Sequence, residues 1–242
     1  MARPKIIIGV LTYPPDLKNG RIAAVRETWV KEWCHSELTW VREWCRSELL
    51  VDWDREYPDY KFFFDNTHKD PDVDEIVLDA PTGLMYTSYK TWRLAQWALE
   101  HNYDYAFIVP TDCYVCVPRL LVSGFEPLEY TGFHAYDEPH IGGGSGYWLS
   151  RRALQAVASY EPYADYEDRW VGAACRKAGI KAEHDPRYWS NEQPWLHGII
   201  TAHLSINDGV SPAYYEPVWM RAYHKQYLER GEIWAISPIQ EC

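Results

Sequence analysis

The segment YAFIVPTDCYVCVPRLL, residues 105–121, contains the features that decide the fold. It begins with an apolar run typical of a buried strand and continues into the polar residues Pro110-Thr-Asp112. Cys113 and Cys116 add a C-x-x-C spacing, which marks redox or metal sites in some proteins. In a strand, however, residues three apart point to opposite faces, and redox C-x-x-C motifs normally open a helix. The segment therefore predicts a strand whose carboxyl end presents Asp112.

Two earlier segments have the same organisation. KIIIGVLTY is an apolar run that ends near Thr12, and YKFFFD ends at Asp65. Helical patterns separate these strands, including NGRIAAVRETW and the amphipathic TSYKTWRLAQWALEHN. Alternating strands and helices over residues 1–120 predict βαβ units, a mainly parallel sheet flanked by helices and an α/β fold. Ligands of such sheets bind beyond the carboxyl ends of the strands, where Asp65 and Asp112 lie.

The composition is that of a globular domain. The chain has 242 residues, of which 47% are hydrophobic, and this is enough for one core. Its net charge of −11 argues against a broad nucleic-acid surface, because phosphate neutralisation needs a basic face. The basic residues that would suit a local groove are Arg151-Arg152, Arg176-Lys177 and Arg187.

The sequence contains neither a membrane-helix pattern nor a dense cysteine framework. The apolar run near the amino terminus covers only residues 6–10, well short of the ~18–20 residues of a membrane helix. Six cysteines without a framework are consistent with reduced thiols. We therefore expect a soluble, cytoplasmic protein without membrane contact.

An internal duplication follows the first strand. TWVKEWCHSEL, residues 28–38, is repeated at once as TWVREWCRSEL, residues 39–49, with nine of eleven positions identical. Eleven residues are close to three helical turns, so the second copy keeps almost the same face inward. The repeat predicts a lengthened surface helix that serves either packing or the binding of an acceptor or partner. Its aromatic stripe would contain Trp29, Trp33, Trp40 and Trp44.

Four segments together resemble the Fringe and β-1,3-galactosyltransferase group, glycosyltransferase family 31, of the GT-A type. LTY…RIAAVRETW is similar to that family's strand and R-x-x-x-[IL]-R-x-T-W, and FFFD to its phenylalanine-rich strand ending in Asp. YAFIVPTDCYVCVPRLL is similar to F-x-x-x-D-D-D-T-Y-V-x-x-x-x-L-L. GGGSGYWLSRRAL and YEDRWVG resemble G-G-A-G-Y-V-L-S-x-x-A-L and E-D-V-x-x-G. The likeness covers residues 5–185, and the segment that follows matches poorly.

The resemblance implies one GT-A domain over residues 1–242. Residues 1–120 would bind the nucleotide sugar, and residues 121–242 would bind the acceptor and carry catalysis. The implied reaction is an inverting transfer from a nucleotide sugar, with UDP favoured, to a hydroxyl of a glycan, a protein or a hydroxymethylated DNA base. Secretory members carry an anchor and disulfides, so the chain suggests a bacterial or viral enzyme of the cytoplasm. The oligomeric state stays open.

The resemblance also implies a metal site. Pro110, Thr111 and Asp112 fall under the family's three aspartates, and the third of these binds the Mn²⁺ or Mg²⁺ that bridges the donor diphosphate. A divalent cation neutralises such a leaving group. The family draws a further ligand from its C-terminal part, where His197 and His203 compete. We favour His203 because it follows the apolar run GIITAH at a predicted strand end; a structural role for Asp112 is the alternative.

Two adjacent carboxylates are the catalytic candidates. Asp168 matches the family's base, which takes the acceptor proton, and Glu167 would orient the acceptor or its loop. Alternatively, both cap the helix RWVGAACRKAG, because carboxylates are favoured at a helix N-terminus. Both roles are compatible.

The remaining candidates would contact the donor. The glycine-rich loop GGGSG lacks the spacing of a Walker or Rossmann motif, so it forms either a close approach to the donor sugar or a tight turn. Arginine suits diphosphate through bidentate hydrogen bonds, or forms a surface ion pair. The predicted donor-binding residues are Thr12, Arg21, Arg26, Asp65, Lys90, Thr111, Gly143 and Gly144.

Two other functions remain open at this point. The loss of two of the three aspartates and the many tryptophans suit a catalytically inactive, carbohydrate-binding glycosyltransferase-like protein. A nucleotide-sugar pyrophosphatase or nucleotidyltransferase of similar fold is a weaker alternative, which release of UMP instead of UDP would reveal.

Overall fold

The computed structural model describes residues 4–31, 58–134, 139–189, 198–204 and 215–230. Residues 32–49 of the predicted long helix, including Trp33, Trp40 and Trp44, lie outside these ranges, as does His197.

The described residues contain two sheets. The strands are β1 (Ile6–Leu11), β2 (Asp59–Phe64), β3 (Glu75–Val77), β4 (Tyr105–Pro110), β5 (Cys113–Val115), β6 (Tyr130–Gly132), β7 (Tyr147–Ser150), β8 (Glu183–His184), β9 (Tyr188–Trp189) and β10 (Thr201–His203). Seven of them form the central sheet in the order β3-β2-β1-β4-β7-β6-β8, and four of its six neighbouring pairs are parallel. The second sheet has the order β5-β10-β9. The expected α/β class with a mainly parallel central sheet is confirmed.

Helices connect and flank these strands. They are α1 (Pro14–Lys18), α2 (Arg21–Val25), α3 (Thr87–Glu100), α4 (Val117–Leu121), α5 (Arg151–Ser159), α6 (Glu167–Lys177) and α7 (Tyr215–Arg230). A π-helical turn, Arg26–Val30, continues α2, and 3-10 turns occur at Leu84–Tyr86 and Gly143–Ser145. No helix in the described ranges has the length and apolarity needed to cross a membrane.

The central strand β1 is buried on both faces, which explains its unbroken apolar sequence. Ile8 and Val10 pack into the core that contains α2 and α7. Ile7 and Leu11 point to the other face and pack into the core that contains α3 and α6.

The strand order places a ligand-binding edge beside β1. The chain runs from β1 outward through β2 and β3, and then returns through α3 to β4 on the other side of β1. A sheet binds ligands at such a reversal, beyond the carboxyl ends of the strands. Here that position lies between the residues that follow β1 and β4, which include Thr12 and Asp112.

Strand β6 is short and is followed by a single bridge. It ends at Gly132, and His134 pairs with Ile141. Residues 135–138 lie outside the described ranges.

Candidate active site

Asp112 and His203 lie side by side at the carboxyl end of β4. The antiparallel pairing of β5 and β10 sets His203 opposite Cys113, and Nε2 of His203 is 3.6 Å from Oδ2 of Asp112. The other carboxylate oxygen, Oδ1, is buried and has no hydrogen-bond partner among the described residues. Burial opposes ionisation of Asp112, yet His203 and Arg21 hold its pKa below the ordinary value. The carboxylate is therefore charged and one of its oxygens is unsatisfied.

This pair fits a divalent cation as two of its ligands. Two ligand atoms at about 2.1 Å from a metal are about 3.0–3.6 Å apart when they subtend roughly 90–120°. The 3.6 Å between His203 and Asp112 lies at the upper end of that range. Carboxylate oxygen and imidazole nitrogen are both ligands of divalent metals, and the unsatisfied Oδ1 is a free acceptor.

Arg21 is surrounded by three carboxylates. Its Nε pairs with Glu216, one terminal nitrogen is 3.2 Å from Asp16, and the other is 3.9 Å from Asp112. Asp16 also accepts a hydrogen bond of 2.8 Å from the hydroxyl of Thr111. Arg21 and Thr111 are thus brought to the site, but both are already bound to carboxylates there.

Asp16 and Glu216 were not predicted from the sequence. Asp16 lies five residues beyond the end of β1, and its polar character at a strand end was an available signal. Glu216 lies in the C-terminal segment, where neither a motif nor a regular apolar pattern pointed to it. Its contact with Arg21 joins residues 195 positions apart.

The glycine turn Gly143–Ser145 packs tightly between the two halves of the site. A Cβ on Gly144 would lie 2.6 Å from the His203 ring, and one on Gly143 would lie 2.9 Å from Oε2 of Glu167. The backbone N–H of Gly143 donates to Oδ2 of Asp168 over 3.4 Å. The turn therefore needs glycine, and it connects His203 on one side with Glu167 and Asp168 on the other.

Glu167 and Asp168 begin α6 but have different environments. Oε1 of Glu167 accepts hydrogen bonds from the hydroxyls of Thr91, at 2.9 Å, and Tyr147. Burial raises the pKa of Glu167 to about 7, the charge of Asp168 adds to this, and the two hydroxyls oppose it. Asp168 is partly exposed, and its Oδ1 accepts from the backbone N–H of Arg169. Both carboxylates are partly exposed, and they differ in their partners: side-chain hydroxyls for Glu167 and backbone N–H groups for Asp168.

Lys90 lies buried beneath the carboxyl edge. Its Nζ donates to the carbonyl of Thr12 over 2.5 Å and lies 3.3 Å from the centre of the Tyr13 ring. Burial lowers the pKa of Lys90 to about 8, although nearby carboxylates, led by that of Asp65, act in the opposite direction. The hydroxyl of Thr12 donates to the carbonyl of Phe63.

Asp65 ends β2 next to this lysine. Its Oδ1 accepts from the backbone N–H of Thr67 over 3.1 Å, and its buried Oδ2 has no hydrogen-bond partner in the described part of the chain. The carboxyl edge therefore holds two unsatisfied carboxylate oxygens, one on Asp65 and one on Asp112.

Arg26 is not part of this group. It pairs with Asp74 at 2.6 Å and Glu75 at 2.8 Å, at the start of β3. Oxygens of Asp72, Asp74 and Glu75 lie within 4.8 Å of one another, close enough to hold a metal ion. Arg26 already supplies positive charge to these carboxylates, and His68 contacts Glu75 at 2.7 Å.

Exposed tyrosines precede both α3 and α6 in the chain. Tyr86, Tyr163 and Tyr166 are each exposed over 40–50% of their surface. The hydroxyl of Ser88 donates to the carbonyl of Tyr163 and so joins the first turn of α3 to the loop before α6. The sequence indicated only a high aromatic content, because exposure depends on the packing of the two loops.

Within the described ranges, neither the C-x-x-C motif nor the arginines considered for a nucleic-acid groove contribute a site. Cys113 and Cys116 are buried, and burial raises the pKa of both thiols, which makes them poor nucleophiles. Internal partners hold the arginines that would suit a nucleic-acid groove. Arg151 binds the Tyr103 carbonyl, Arg152 binds Glu129, Arg176 binds the Pro139 carbonyl and Arg187 binds Asp185.

Comparisons with known proteins give similarities at the level of structure. No family model matches the sequence, and no curated protein is similar to it. A glycosyltransferase involved in the glycosylation of the major capsid of PBCV-1 has a TM-score of 0.49 and 12% identity, over 90% of this chain and 100% of that one. The catalytic domain of Drosophila β1,4-galactosyltransferase 7, in complex with xylobiose, has a TM-score of 0.44 and 10% identity, over 90% and 80%. Similarity at this level does not assign an activity to the chain.

Proposed function

We propose that this protein is an inverting glycosyltransferase that moves a sugar from a nucleotide sugar to an acceptor hydroxyl with the help of Mn²⁺ or Mg²⁺. The observation that carries the proposal is the glycine turn, with Asp112 and His203 on one side and Glu167 and Asp168 on the other. This arrangement lies at the ligand-binding edge of the sheet. The four motifs favour UDP as the nucleotide.

Asp112 and His203 would hold the metal, and diphosphate oxygens of the donor would complete its shell. When bound, the cation neutralises charge on the departing diphosphate. Asp65, which follows β2, and Lys90, which lies in α3 beneath the same edge, are assigned to the donor, with Asp65 on the base or ribose. Gly143 and Gly144 are assigned to the donor sugar through their backbone, since their Cβ positions are filled by Oε2 of Glu167 and the ring of His203.

Asp168 is the proposed base. Its carboxylate accepts the proton of the acceptor hydroxyl while the acceptor oxygen forms a bond to the anomeric carbon. The bond from that carbon to the diphosphate breaks on the opposite face, so an α-linked donor gives a β-linked product. Asp168 lies in the first turn of α6, and the helix dipole stabilises its carboxylate before it takes up the proton.

Glu167 is assigned a positioning role. Its hydrogen bonds with Thr91 and Tyr147 link α6 to α3 and β7, and its Oε2 packs against the glycine turn. These contacts set the orientation of the first turn of α6, and therefore of Asp168.

The acceptor is proposed to be a glycan or a protein hydroxyl in preference to a DNA base. Exposed Tyr163 and Tyr166 precede Asp168 in the loop that leads into α6, and such rings stack on sugars. The arginines considered for a DNA groove are engaged by internal partners.

Product analysis tests the proposal. The protein is incubated with UDP-sugars and Mn²⁺, without acceptor or with a panel of glycans, and the released nucleotide is identified. We expect slow UDP release that acceptors accelerate, and its loss in Asp112→Ala but not in Asp74→Ala. Equal, negligible turnover in wild type and Asp112→Ala would support an inactive carbohydrate-binding protein, and UMP release would support a pyrophosphatase.

A further inference from the structure

We propose that Glu216 sets the affinity of Asp112 for a divalent cation by holding Arg21 away from it. The inference rests on the proposed metal role of Asp112, and it assigns Glu216 as a positioning residue. Glu216 lies at the start of α7, in the part of the chain where the family resemblance is poor.

The residues around Arg21 carry an excess of negative charge. Asp16, Asp112 and Glu216 share one guanidinium, that of Arg21. All three carboxylates are at least 85% buried. Three carboxylates and one guanidinium leave two negative charges over, and a buried uncompensated charge is costly. One divalent cation would balance the group.

Arg21 and a divalent cation would compete for Asp112. Arg21 makes close contacts with Glu216 and Asp16, but its remaining nitrogen stays 3.9 Å from Oδ2 of Asp112. That distance exceeds the length of a hydrogen bond. Meanwhile Oδ1 of Asp112 is buried and unsatisfied. Arg21 therefore lies near enough to pair with Asp112 and is retained by its two other partners.

The two carboxylates that retain Arg21, Asp16 and Glu216, are held differently. Asp16 also accepts hydrogen bonds from the hydroxyl of Thr111, at 2.8 Å, and from the backbone N–H of Tyr13, at 3.0 Å, and these two bonds hold it in place. Glu216 contacts Arg21 from a different element, α7. If Glu216 loses its charge, Arg21 is expected to move toward Asp112 and to compete with the cation there.

A double-mutant cycle with Mn²⁺ as the probe tests this proposal. Mn²⁺ binding is measured by calorimetry and by the electron paramagnetic resonance signal of free Mn²⁺, with and without UDP. Glu216→Gln is expected to weaken binding about tenfold, and Arg21→Gln to tighten it about tenfold. In the Arg21→Gln background, Glu216→Gln should change the Kd by less than about threefold.

A matched control separates this role from the docking of α7. Glu27 on the α2 side forms an exposed ion pair with Arg221 of α7, at 2.6 Å. Like Glu216→Gln, Glu27→Gln removes one negative charge from the contact between the α2 side and α7. It should leave the Kd of Mn²⁺ unchanged. Thermal unfolding of each variant identifies those that are misfolded, and Glu216→Asp, which keeps the charge, should bind more tightly than Glu216→Gln.

The outcomes distinguish the two proposals. If Glu216→Gln weakens binding equally in both backgrounds, Glu216 does not act through Arg21 and this inference is wrong. If Asp112→Asn leaves Mn²⁺ binding unchanged, or if the wild type binds no Mn²⁺ with or without UDP, the metal role in the proposed function fails and the inference fails with it.

Discussion

Two regions of the molecule contain the same set of side chains: three carboxylates, one arginine and one histidine. The group at β3 comprises Asp72, Asp74, Glu75, Arg26 and His68. The group at the carboxyl ends of β1 and β4 comprises Asp16, Asp112, Glu216, Arg21 and His203.

The two groups differ in how far their charges are satisfied. At β3, Arg26 contacts Asp74 and Glu75 within 2.8 Å, and Glu75 also accepts from His68 and from the backbone N–H of Asp72. At β4, the nearest basic side chains, His203 and Arg21, stay 3.6 and 3.9 Å from Asp112, whose Oδ1 has no partner among the described residues. Closeness of carboxylates alone is therefore a poor sign of a cation site. An unsatisfied, buried ligand atom is a better one.

Replacement of Asp112 is expected to have the largest effect, and the same replacement of Asp74 should have almost none. Asp112→Asn should abolish Mn²⁺ binding and lower sugar transfer by at least about 10³-fold, because it removes a proposed metal ligand. Asp74→Asn should change neither by more than about twofold. Calorimetry with Mn²⁺ and a UDP-release assay measure both effects, and loss of Mn²⁺ binding in Asp74→Asn would reverse the assignment.

Asp168 belongs to neither group, and its replacement tests catalysis separately from metal binding. Asp168→Asn should lower transfer by about 10²–10³-fold, because the proposed base is lost. Binding of Mn²⁺ and of the donor should persist, since Asp168 contacts the far side of the glycine turn. Kinetics paired with donor calorimetry test this, and transfer at close to the wild-type rate would exclude Asp168 as the base.

The satisfied group should contribute to stability, with a defined pH dependence. Burial opposes ionisation of Glu75, but hydrogen bonds from Asp72, His68 and Arg26 lower its pKa below the ordinary value of a glutamate. The stabilisation is thus present above that value and is lost as the pH falls through the depressed pKa. Glu75→Gln should cost about 2 kcal/mol of unfolding free energy at pH 7 and progressively less in acid.

Urea unfolding across pH, in the presence of a chelator, measures this difference. Glu216 should show the opposite trend, because burial raises its pKa despite Arg21. The wild type should gain stability relative to Glu216→Gln as the pH falls through that raised pKa. The same pH trend in both variants would contradict the contrast between the groups.

The smallest expected effect concerns Glu167. Its pKa of about 7 predicts that the acid limb of the kcat/KM profile has its midpoint near neutrality, if the ionised form is needed. Thr91→Val removes a hydrogen bond to the carboxylate, so the pKa should rise and the limb should move upward by roughly half a unit to one unit. An unchanged profile would show that Glu167 does not control the rate.

The strand ends could be predicted because their signals are local. Apolar runs that stop at Thr12, Asp65 and Asp112 indicate buried strands, and parallel strands bring their carboxyl ends to one edge. Such reasoning did not separate Arg21 from Arg26. The two lie five residues apart in one predicted helix, and contacts with distant carboxylates decide which of them reaches the edge.

Local patterns in the sequence predicted the α/β class, the edge of the sheet at which the candidate site lies and the residue types available there, because periodicity and strand ends depend on neighbours along the chain. Tertiary structure alone decided which residues meet. The register of β10 against β5 brings His203 to Asp112, and the glycine turn packs against that histidine. Glu216 reaches Arg21 across 195 residues, and a contact of that span depends on the packing of whole elements, which no local pattern records.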